Sequence, residues 1–122
     1  MADVYLPPGW PEAVAPPGSE HFESSAVNYL LDLVPEYRRH PTVVRFPAIL
    51  ASIARHTLGG AVEGARQGYR TARTELGETV PPHAVDATLK AYRDEGRRLA
   101  AAVRAVGLVE RALRGERFTR SL

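Results

Sequence analysis

Residues 82–114, PHAVDATLKAYRDEGRRLAAAVRAVGLVERALR, decide the fold. Val85, Leu89, Tyr92, Gly96, Leu99, Val103, Val106, Glu110 and Leu113 follow one another in alternating steps of four and three. That is a heptad seam broken only at Gly96 and Glu110, and it predicts one long amphipathic helix. Inside it, residues 99–109 (LAAAVRAVGLV) are apolar almost all round except for Arg104. A helix apolar on several sides must be covered on several sides. One neighbouring helix is not enough. The first helix, the N-terminal arm or a second subunit must help, and a homodimer is expected.

Upstream, Gly77 and the Pro81-Pro82 pair mark a helix stop and a helix start. The connection between them, GETV, is short, so the helices it joins are antiparallel neighbours. The earlier of the two runs from Pro47 to about Leu76, with Leu50, Ile53, Leu58, Val62 and Tyr69 on its core side. Gly59-Gly60 is its weak point. A single helical turn is expected at 41–45, behind Pro41. A first helix is expected at 20–34, with Ser19 as its N-cap and Pro35 as its stop. Phe22, Ala26, Tyr29, Leu30 and Leu33 form its apolar face.

Five of the ten prolines lie in residues 1–18, which predicts an extended arm of polyproline II character. Its Trp10 is expected to dock on the body, because a free tail rarely carries so large an apolar group. Residues 115–122 read as a fraying tail. The expected fold is therefore all-α: a proline-rich arm (1–18), then one helical domain (19–114) holding a short helix and a long antiparallel helical hairpin.

Gly60, Gly64, Gly68 and Ala72 stand four residues apart on the first long helix. Each interior glycine costs ~1 kcal/mol against alanine. Close approach of a neighbour is the usual gain that offsets it, so these four, with Leu99, Val103 and Val106, are the expected helix-packing residues.

The formal net charge of +2 hides an asymmetry. Residues 1–36 carry six acids and no Lys or Arg, whereas 37–122 carry 16 cations and eight acids, a balance of +8. Two arginine stripes follow the long helices. Arg66, Arg70, Arg73, Arg93, Arg97, Arg104 and Arg111 are the candidate anion-binding residues, as a phosphate-backbone binder would need. Nearby Glu63, Asp86 and Asp94 weaken that field, and i,i+4 ion pairing on a solvated face is the competing account.

Other chemistries find little purchase. There is no cysteine, so neither disulfide nor thiolate chemistry is available. His21, His40, His56 and His83 are dispersed, with none at the i,i+4 spacing of a helical metal site. No nucleophile elbow or phosphate loop occurs. No metal, no cofactor and no catalytic residue is expected. No window holds 18 apolar residues and the first ten residues are not a signal peptide, so no membrane partner and a cytoplasmic location are expected. A small-ligand site on the glycine stripe with Tyr69, Tyr92 and His56 is a third reading, and it requires an enclosed cavity beside Gly64 and Gly68.

The segments LPPGWPEAV, SAVNYLLDLVPEYRRHP and RFPAILASIARH resemble a family of short helical proteins from actinobacteria. The resemblance spans roughly residues 6–113 and implies a high-GC genome, in line with 15 Arg against one Lys. It brings no activity, cofactor or site residue. The expected function is that of a non-enzymatic helical interaction protein, an adaptor or small regulator, acting on itself or another protein. Nucleic-acid association through the arginine stripes is the alternative.

Overall fold

In the computed structural model, residues 4–120 are described; residues 1–3 of the arm and 121–122 of the tail lie outside them. Four α-helices follow one another: α1 (Phe22–Leu33), α2 (Pro41–Arg45), α3 (Pro47–Leu76) and α4 (Pro82–Leu113). A 3-10 turn, Pro35–Arg39, joins α1 to α2. Among the described residues there is no strand. The all-α expectation holds, and α3 and α4 form the long antiparallel hairpin.

Prolines set three of the starts. Pro41, Pro47 and Pro82 each stand in a first helical turn, where a missing N–H is no loss. α3 runs unbroken through Gly59 and Gly60. Two caps differ from expectation. Ser19 does not cap α1; His21 holds the cap position without a side-chain bond, and Ser19 Oγ accepts the His21 N–H at 3.2 Å instead. Gly77 ends α3 in right-handed geometry (φ −58°), and the turn closes by Thr79 and Val80 N–H donating to the Leu76 carbonyl.

The core lies at the base of the hairpin. Ala26, Leu30 and Val34 of the α1 region meet Leu50, Ala54 and Leu58 of α3 and Leu99, Val106 and Val109 of α4. α1 has 12 residues, too few to persist alone in water, so it is helical because this face is buried. A smaller cluster, Ala72, Val85 and Leu89, closes the tip, with Leu76, Val80 and Tyr92 packed on it.

The arm is not one extended strand of polyproline. Trp10, Val14 and Ser19 N–H groups donate to the Pro7, Pro11 and Pro16 carbonyls, folding it at three turns. Gly9, at φ +97°, permits the first, and a Cβ there would overlap Arg104. Trp10 docks as expected. Its ring lies 6.2 Å from that of Phe22 and 5.9 Å, edge-on, from that of Phe118, and its Nε1–H donates to the Val14 carbonyl at 2.9 Å. Phe118 therefore corrects the reading of the tail: through residue 120 it packs back on the arm, with Arg111 over the Phe118 ring and Arg120 over Tyr5.

Residues 99–109 are covered in part within the same chain, while Ala100, Ala101 and Val103 stay exposed. Leu99, Ala105, Val106, Leu108 and Val109 are all buried within one protomer. α1 and the arm supply the cover of these five residues.

Candidate interaction groove on the hairpin

Between the base core and the tip cluster the hairpin is two helices thick, and an open apolar groove of about 600 Å³ runs along it. Val62, Ala65 and Tyr69 form the α3 wall, and Tyr92, Gly96, Ala100 and Val103 form the α4 wall. Arg66, Arg70 and Arg93 stand at its rim. Val62 and Ala65 also pack against the base core, so the groove begins where that core ends. Tyr69 and Val103 remain 41% and 39% exposed, unusual for large apolar groups on a helix interface, which marks the groove as unfilled. At 1.5 Å per residue, its walls are ~12 Å (62–70) and ~16 Å (92–103) long.

The predicted packing residues divide. Ala72, Leu99 and Val106 are buried in the helix interface. Gly68 meets the Tyr92 ring so closely that an added Cβ would overlap it. Gly60 and Gly64 do not pack at all: both are exposed, and a Cβ on either meets nothing within 4 Å. Val103 is not an interface residue either but a groove wall. The physical reason is helical drift. Each step of four advances ~40° around the axis, so Gly60 is ~120° from Ala72 and cannot share its neighbour. Replacing Gly60 and Gly64 together by alanine is therefore expected to raise stability by about 1–2 kcal/mol, read from denaturant unfolding. A loss would mean that something does approach them.

Most of the arginine stripe is already engaged. Arg66 pairs with Glu63 at 2.8 Å, and Arg97 shares Asp94 with Lys90. Arg104 donates from Nε to the Pro8 carbonyl at 2.7 Å, which latches the arm rather than a ligand. Arg111 pairs with Glu116. Arg98, outside the predicted set, pairs with Glu95 at 2.6 Å. Hydrogen bonding from Lys90, with the charges of Lys90 and Arg97, holds the Asp94 carboxyl below the ordinary carboxylate range, and Arg98 does the same for Glu95. Among the described residues Arg70, Arg73 and Arg93 carry no salt bridge; Arg70 donates only to Gln67 Oε1 at 2.6 Å. Away from the stripes, Glu110 is buried at the base and receives Arg55 Nε at 2.9 Å, which is how an acid is tolerated on the seam.

The groove lining holds no His, Asp, Glu, Ser or Thr, so it offers apolar contact, two phenol rings and cationic edges. Gly64 and His56 do not line it, and among the described residues nothing stands within 4 Å of a Cβ on Gly64, so the small-ligand reading finds no support beside that glycine. Among the described residues no three His, Asp or Glu side chains gather as a metal site would require. No described helix is long and apolar enough to cross a membrane. Comparison with family models, with curated proteins and with solved structures finds no match to this chain.

Sequence patterns single out Tyr69, Tyr92, Arg66, Arg70 and Arg93 one by one but not the groove they make together. It arises because Gly96 and Ala100 of α4 leave a hollow between Tyr92 and Val103. Gly96 on an otherwise large-residue stretch of the seam, with Ala100 one turn further on, was its available signal.

Proposed function

We propose that this protein is a non-enzymatic, cytoplasmic helical interaction protein, an adaptor or small regulator, and that the groove of the α3–α4 hairpin is its working face. The carrying observation is the unfilled apolar groove on the half of the hairpin that α1 does not cover. A groove between two antiparallel helices is the usual receptor for a third, amphipathic helix. Its lining offers no proton-transfer group or nucleophile with a partner, which supports binding over catalysis.

Nucleic-acid association is the second reading, and one observation favours it: Arg70, Arg73 and Arg93 stand on neighbouring helices without a salt bridge among the described residues. Against it, Arg66, Arg97, Arg104 and Arg111 are engaged within the chain. Three such cations displace few counterions, so affinity for a generic DNA duplex is expected to be weak at low salt and lost near physiological salt. A titration at both salts decides. Submicromolar binding that falls steeply with salt would overturn the interaction reading in favour of phosphate binding.

A further inference from the structure

We infer that the groove takes an acidic amphipathic helix, about three turns long, from another protein. This rests on the docking reading above and names the partner's chemistry. The apolar walls, ~12 and ~16 Å long, match ~8–11 helical residues. Gly96 and Ala100 leave a hollow between Tyr92 and Val103 that an apolar side chain can enter. The rim is cationic and the lining holds no acid. Arg70 and Arg93 flank the groove from opposite helices without a carboxylate partner among the described residues. An apolar stripe bordered by Glu or Asp satisfies all three features at once.

A second copy fits less well. Residues 37–122 carry a balance of +8, and a two-fold pairing of grooves would set the Arg66, Arg70 and Arg93 rims against their own copies. The acidic segment of the chain includes α1, whose apolar face is already buried through Ala26, Leu30 and Leu31. It cannot offer that face to a neighbour without leaving its own core.

The test uses the full chain and two labelled helical peptides of ~11 residues. Both carry leucines at helical i, i+3, i+7 spacing; one is bordered by Glu and the other by Lys. The Glu peptide is expected to bind at least tenfold more tightly, with affinity falling as salt rises. Replacing Arg70 and Arg93 together by Gln should weaken it about tenfold. Gly96→Met fills the hollow from within while improving helix propensity, so that variant folds and should lose binding. Equal or better binding of the Lys peptide overturns the acidic partner and leaves the groove as a docking face. Binding of neither at about 0.1 mM overturns both. A dimer in sedimentation that Gly96→Met dissolves would assign the groove to a second copy instead.

Discussion

Leu30→Ala is expected to destabilise the protein by about 3–5 kcal/mol, the upper part of the range for buried leucines. Leu30 is fully buried at the centre of the base core, among Leu50, Val34 and Val106. The truncation removes transfer free energy and leaves a cavity that flanking helices cannot collapse to fill. α1 depends on its buried face: it is 12 residues long, lacks a side-chain cap and has no basic residue in its last turn. Loss of its central anchor should therefore loosen the entire segment, and the unfolding temperature should fall by ~10 °C or more. Denaturant unfolding with circular dichroism measures this. A change below about 1 kcal/mol would show that α1 is not held on the hairpin.

Trp10→Ala is expected to cost about 2–4 kcal/mol, somewhat less than a fully buried Trp because the residue is half-buried. It removes the packing on Phe22 and the edge-on contact with Phe118, and it deletes the donor to the Val14 carbonyl. The effect should spread beyond the arm, because the ring contact with Phe118 also holds the tail. Hydrogen exchange should show the Val14 amide, bonded to the Pro11 carbonyl, losing protection before any α3 amide. Trp10→Phe keeps most of the ring packing and should cost only about 1 kcal/mol. If Trp10→Ala is neutral, the arm is not part of the folded body.

The elements of this fold were legible because punctuation and periodicity agreed. Pro47 and Pro82 begin α3 and α4, and the seam from Val85 to Leu113 sets the face of α4 that turns inward. A turn between Pro35 and Pro41 was legible from the two prolines, but its 3-10 form at Pro35–Arg39 was not, since a proline after Val34 ends α1 without fixing the conformation of the next five residues. The glycine stripe was half misleading. Regular spacing of four resembles one face when written as a line of residues, yet it winds ~40° per step, and only Gly68 and Ala72 reach the interface. The arginines misled for another reason. Their role depends on rotamers and on carboxylates three or four residues away, and in the case of Arg104 on a carbonyl 96 residues distant. The groove needs the register of two helices, which no single stretch contains. Gly96 becomes informative only once it stands beside Tyr92 and across from Ala65 and Tyr69.

The most direct test of the groove as working face is a chemical-shift map of the full chain with the Glu-bordered amphipathic peptide added. Changes are expected to be confined to Val62, Ala65, Tyr69, Tyr92, Gly96 and Val103, with the Leu30 and Leu50 signals unmoved. Changes centred on α1 or the arm, or none at a peptide concentration of about 0.1 mM, would contradict the assignment of the groove.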